Sequence, residues 1–277
     1  MTARKTIIFF LISILFSVPA AYAKLDYHGV PSKGSAQKGA AAVAVCSACH
    51  GIDGNSASPT YPNLAAQKYN YIIKQLEDFR DLHRKSSIMT GMAMTIPSSS
   101  NHQNLENIAA YFSSQKLKRT EGANAHPAAA TSAELKIGFA VYRYGSDKEG
   151  VPACSACHGL GGEGNDPMAI PALAGQHAAY VVQQLDQFAS GTRDNSPGRV
   201  MAKISHAMST QQKKAVAAYM ERLDPATVLG ADIQTYGEHV KTVLAKSTKS
   251  KQAASSSSKS PIKTRSDQGK VKKPGNV

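Results

Sequence analysis

The chain carries one domain-sized pattern twice, and this repeat limits the possible folds more than any other feature. Val45-Cys46-Ser47-Ala48-Cys49-His50-Gly51 returns as Ala153-Cys154-Ser155-Ala156-Cys157-His158-Gly159, with Cys46 and Cys154 separated by 108 positions. Pro62-Asn63-Leu64-Ala65-Ala66-Gln67 is answered by Pro171-Ala172-Leu173-Ala174-Gly175-Gln176. Tyr71-Ile72-Ile73-Lys74-Gln75-Leu76-Glu77-Asp78-Phe79 is answered by Tyr180-Val181-Val182-Gln183-Gln184-Leu185-Asp186-Gln187-Phe188, and Ala109-Ala110-Tyr111-Phe112 by Ala217-Ala218-Tyr219-Met220. The landmarks keep their order, so the 277 residues hold two copies of one small domain.

Each copy reads as helical. Gln37 to Val45 is Ala-rich and runs into the first motif, as Ala133 to Tyr144 precedes the second. Loops rich in Gly, Asn and Pro follow, Gly51 to Pro62 and Gly159 to Pro171. Tyr71, Ile72, Leu76 and Phe79 make an apolar face on a helix over Gln67 to Arg80, repeated over Gln176 to Phe188. Closing helices are expected over Asn104 to Gln115 and Thr210 to Leu223, and no segment has the alternation of a strand. The fold class is therefore all-α. Domain limits are placed at 24–121 and 132–224, joined by a linker over 122–131.

The motifs carry the chemistry. Cys-x-x-Cys-His is the attachment signature of c-type haem: two thiols add to the vinyl groups of one porphyrin, and the adjoining His sits beneath the iron. All four cysteines of the chain fall in the two motifs, and each motif ends directly in His. Cys46 and Cys49, and Cys154 and Cys157, are thus candidates to hold two covalently bound haem c groups, with His50 and His158 as iron ligands. A single zinc held by both pairs leaves the two histidines unexplained, and a dithiol redox pair would sit beside a βαβ pattern that is absent. Trp is lacking and aromatic residues make up only 6%. A core with so few large side chains would be thin unless a buried macrocycle supplied apolar bulk.

Sixth-ligand candidates come from aligning the copies. Met89 lies seven residues before Ile96, and Met201 seven before Met208. On this register Met92 faces Ile204 and Met94 faces His206, so only Met89 and Met201 are Met in both copies. Met92, Met94, Met168 and Met208 suit flexible packing against a ring, and His206 competes with Met201. Extra residues between Pro97 and Asn104 interrupt the register in the first copy. Pro62 and Pro171 stand where a carbonyl can hold the second nitrogen of each proximal His. Gln67, Gln176, Tyr71 and Tyr180 are candidates to meet haem propionates, while His83, His102, His126, His177 and His206 read as surface residues. No third metal cluster, phosphate loop or nucleophile elbow is present, so no catalytic residues are expected.

Arg4 and Lys5, the apolar run Ile7 to Val18 and Ala21-Tyr22-Ala23 form a secretory signal, with cleavage expected after Ala23 and export to a periplasm. The formal charge is +13, but the excess gathers in the Lys- and Ser-rich tail over 225–277. That distribution, with export, argues against nucleic acid. The tail has almost no large apolar residues and is expected to stay mostly disordered. Its cations suit peripheral association with an anionic membrane or an acidic partner.

Over roughly Ser35 to Leu223 these residues resemble dihaem cytochrome c4. The tandem motifs, the Pro-Asn-Leu-Ala-Ala-Gln and Pro-Ala-Leu-Ala-Gly-Gln segments, Met89-Thr90-Gly91 and the Ala-Ala-Tyr-Phe-Ser-Ser-Gln helix carry the resemblance. It implies two class I cytochrome c domains about a pseudo-twofold axis, with ligands His50 and Met89, and His158 and Met201. It also implies a periplasmic electron carrier rather than an enzyme. Electrons would pass from a redox protein donor to an acceptor, a membrane respiratory complex ending in a terminal oxidase. A dihaem electron-accepting subunit of a dehydrogenase, such as a flavin sulfide dehydrogenase, is the alternative, and a dihaem peroxidase would need one haem with a displaceable ligand. The basic tail falls outside the pattern.

Overall fold

The computed structural model describes residues 34–96, 102–118 and 130–226. The expected signal segment, the residues at 97–101, most of the linker and nearly all of the basic tail lie outside the described residues. In the first copy the helices are α1 (Ala36–Ala42), α2 (Ser47–His50), α3 (Tyr69–Arg80), α4 (Met89–Met94) and α5 (Gln103–Ser114). The second copy repeats them as α6 (Ser132–Tyr144), α7 (Ser155–His158), α8 (Ala178–Ser190), α9 (Val200–Ala207) and α10 (Thr210–Arg222). A 3-10 turn over Pro197–Arg199 leads into α9. Among the described residues no strand forms, only isolated bridges, as the lack of alternation implied.

Local chemistry sets the helix starts. Ser35 caps α1 by accepting from Lys38 N. Thr131 with Glu134, and Ser209 with Gln212, form reciprocal capping boxes on α6 and α10. The helix before each motif then crosses the closing helix, α1 on α5 and α6 on α10. Gly39 and Gly138 sit at these crossings, where the partner backbone comes too close for a Cβ. Val43, Ile72, Ile108, Ala109 and Phe112 are buried at the first crossing; Tyr142, Ala215, Val216 and Met220 are buried in the second copy. Four short helices, α2, α4, α7 and α9, were not foreseen individually. They run four to eight residues, too short for an apolar period to register.

The two copies meet through α3 and α8 and the loops beside them. Arg84 and Arg193 bridge antiparallel across this interface. Arg84 donates through Nη1 to Gln75 (2.7 Å) and through Nη2 to Gln184 (2.6 Å) and Tyr180 (3.0 Å). Arg193 returns the pattern, donating to Gln184 (2.8 Å), Gln75 (3.0 Å) and Tyr71 (3.0 Å). Each guanidinium also lies over a phenyl ring of its own copy, Arg84 on Phe79 and Arg193 on Phe188. Such reciprocity is the mark of a twofold interface, in which each surface patch meets its own equivalent.

The symmetry is incomplete. Asp166 of the second copy accepts from Asn70 N at 2.9 Å and so caps α3 of the first. The equivalent terminus of α8 is capped from within its own copy, by Glu221 accepting from Ala178 N. His177, expected at the surface, is buried (6% exposed), and its Nε2 meets the Ser56 carbonyl of the other copy at 3.0 Å.

Candidate haem sites

In each copy the motif forms a single helical turn that carries both cysteines and the histidine. His50 N donates to Cys46 O, and His158 N to Cys154 O, at 3.0 Å. The chain must then leave at once. Gly51 has φ +79°, and a Cβ there would lie 2.2 Å from Asn55 O, so Gly follows His for steric reasons. None of the four motif cysteines, Cys46, Cys49, Cys154 and Cys157, is paired in a disulfide. Before haem attachment, burial pushes the Cys46 thiol up and the Cys154 thiol up to about 12.

Both imidazoles are buried and held alike. His50 Nδ1 donates to Pro62 O at 2.9 Å, and His158 Nδ1 to Pro171 O at 3.0 Å. A carbonyl only accepts, so each Nδ1 carries the proton and each Nε2 keeps its lone pair. Burial lowers the pKa of both rings, outweighing the carbonyl bonds, which keeps them neutral. A neutral imidazole with Nδ1 anchored and Nε2 basic is the form that ligates iron. The two motif cysteines, one four residues before it and one directly before it, complete the donor set for a covalent haem, so the residues present fit that group in both copies.

Met89 opens α4 and Met201 lies in the first turn of α9. Their amides donate to Ser86 Oγ (3.1 Å) and Ser196 Oγ (3.2 Å). Both side chains are half-buried, whereas Met94 (55%) and Met168 (66%) are exposed and Met208 is buried. His206 is exposed. Ala93 and Ser205, partners on the same register, are both enclosed (1% and 0%), so α4 and α9 bury matching positions.

Gln67, Gln176, Tyr71 and Tyr180 all bond across the two copies. The tyrosine hydroxyls accept from the arginines of the opposite copy. Burial alone would raise the Tyr71 phenol, but the Arg193 and Arg84 charges outweigh it and the net shift is downward. Gln67 Nε2 donates to Ala172 O (3.1 Å) while its Oε1 accepts from Ala172 N (2.8 Å). Gln176 does the same to Asn63, at 2.9 Å each. Sequence reasoning singled out these four residues as polar and repeated, but their partners lie about a hundred residues away.

Two helical units, each presenting a paired thiol motif and an anchored imidazole, define a c-type cytochrome with two haem domains. The cytochrome c family model matches residues 36–116 and 145–224. The chain is 40% identical over 200 residues to cytochrome c4 of Stutzerimonas stutzeri, covering 69% of this chain and 90% of that one. The crystal structure of reduced recombinant cytochrome c4 from Pseudomonas stutzeri superposes with a TM-score of 0.62 at 39% identity, covering 69% of this chain and 99% of that one. A thiosulfate dehydrogenase electron acceptor of Thiomonas intermedia (strain K12) is 34% identical over 178 residues, covering 64% and 77%. The chain belongs to the cytochrome c4 family. It is a dihaem electron carrier with two covalently bound haem c groups, not an enzyme. Among the described residues no helix is long and apolar enough to cross a membrane.

Proposed function

We propose that the chain is a periplasmic relay in which each haem is bound by thioethers and closed on both sides by protein ligands. Cys46 and Cys49 attach the first haem and Cys154 and Cys157 the second. His50 and Met89 ligate the first iron, His158 and Met201 the second. The observation carrying this reading is the paired anchoring of both imidazoles, His50 on Pro62 and His158 on Pro171. His/Met ligation gives a relatively high potential suited to electron transfer, and two protein ligands per iron leave no position for substrate. The domains are taken as 24–121 and 132–224, after cleavage at Ala23.

The acceptor in this reading is a membrane respiratory complex with a terminal oxidase. The resemblance to a thiosulfate dehydrogenase electron acceptor supports a second reading, in which the donor is a dehydrogenase of that kind. Spectroelectrochemical titration is the test: two low-spin waves are expected, and Met89→Ala and Met201→Ala should each depress one of them. A high-spin component in the wild type, or variants that leave spectrum and potential unchanged, would overturn the ligand set. Rapid oxidation by oxidase-containing membranes favours the first partner; reduction by a co-purifying dehydrogenase favours the second.

A further inference from the structure

The peptide that anchors each proximal His is itself gripped by the other copy. The Pro62–Asn63 peptide accepts from His50 Nδ1 through its carbonyl (2.9 Å) and donates through its N–H to Gln176 Oε1 (2.9 Å). The Pro171–Ala172 peptide accepts from His158 Nδ1 (3.0 Å) and donates to Gln67 Oε1 (2.8 Å). The geometry is reciprocal, and both glutamines are buried, each 6% exposed. An acceptor on the N–H polarises the whole amide and makes its carbonyl a stronger acceptor, since hydrogen bonds in a chain reinforce one another at low dielectric. A stronger carbonyl draws the Nδ1 proton and makes the imidazole more basic towards a metal.

From this arrangement we propose that Gln176 and Gln67 are tuning residues that act in trans: Gln176 sets the proximal ligand of the first haem, and Gln67 that of the second. Each lowers the Fe(III)/Fe(II) potential of the haem in the opposite copy, because a more basic imidazole favours the ferric side of this one-electron couple. Packing of the copies therefore sets both potentials, beyond holding the haems near one another. The inference rests on His50 and His158 being the iron ligands.

The test uses the full-length, haem-loaded protein. Gln176→Leu should raise the potential of the first haem and leave the second in place; Gln67→Leu should do the reverse. About a threefold change in the oxidised-to-reduced ratio is expected, which is about 28 mV at 59 mV per decade. The proton on the opposite His Nδ1 should move upfield in the NMR spectrum as its hydrogen bond weakens. Gln176→Met and Gln67→Met, unbranched and of matching length, give the same crossed pattern where Leu is not accommodated. Asn70→Ala removes a different cross-copy bond, the one its Nδ2 donates to Asp166 O (3.1 Å), and should leave both potentials in place. Shifts confined to the haem of the mutated copy, equal shifts at both haems, or no shift would overturn the trans relay. Failure of the ligand assignment is read separately: His50→Ala would then leave the first haem low-spin with an unchanged spectrum.

Discussion

Replacing Gly39 or Gly138 by Ala tests the helix crossings on which both haem sites are built. A Cβ on Gly39 would lie 2.0 Å from Asn107 O and 2.7 Å from Tyr111 Cβ; one on Gly138 would lie 2.1 Å from Ala215 O and 2.8 Å from Tyr219 Cβ. The obstructing oxygens are backbone, so no rotamer change relieves the overlap, and α5 or α10 must retreat by about 1 Å or more. Overpacking of this kind costs about 3 kcal/mol at its upper end. Ala returns about 1 kcal/mol of helix propensity, which leaves a net loss of about 2 kcal/mol per site. For a unit of this size that lowers Tm by about 4–8 °C. The double variant should lose about 4 kcal/mol, since the sites lie in separate copies and share no partner. Thermal unfolding of the haem-loaded protein, followed by circular dichroism, measures it. Gly91 supplies the opposite case: it lies inside α4 with nothing within 4 Å of an added Cβ, so Gly91→Ala should be neutral or stabilising by up to about 1 kcal/mol. A Gly39→Ala or Gly138→Ala protein as stable as the wild type would refute the crossing geometry.

Three further outcomes are expected. Asp166→Ala should cost about 1 kcal/mol by uncapping α3, while Asp166→Asn, which keeps an acceptor, should cost less; thermal unfolding distinguishes them, and equal losses would sink the cap. Arg84→Met should cost about 2 kcal/mol, because Tyr180, Gln184 and Gln75 each lose a buried donor; a denaturant midpoint at the wild-type value would show the interface polar network to be dispensable. Removing the residues after Ser247 should reduce retention on anionic vesicles at low salt and leave it unchanged at high salt, with each cation near the surface contributing about 1 kcal/mol; identical retention at low salt would remove the membrane role of the tail.

Much of the architecture was legible in the chain. Six helices, α1, α3, α5, α6, α8 and α10, fall where apolar spacing and Ala-rich runs put them, because a helical face repeats every three to four residues and can be counted. The short helices escaped that count, and so did the partners of polar side chains. His177 looked like a surface residue because nothing within its own segment explains its burial; its neighbour Ser56 lies 121 residues away. Gln67 and Gln176 were noticed as repeated polar residues, yet their mates belong to the other copy. The capping of α3 by Asp166 had no sequence signal, since caps are read from the residues just before a helix.

The sequence by itself determined the covalent chemistry and the duplication. Two thiols and an imidazole within five consecutive residues place a haem by spacing alone, and the second copy gives the second haem. Tertiary structure decided how the copies answer each other. Arg84 and Arg193, Gln67 and Gln176, and Asp166 find partners set by the docking of two surfaces, and docking is a property of summed shape and polarity, not of local order. The physical reason is one of range. Spacing fixes contacts within a few residues, whereas a hydrogen bond between residues a hundred positions apart exists only once folding has closed the distance.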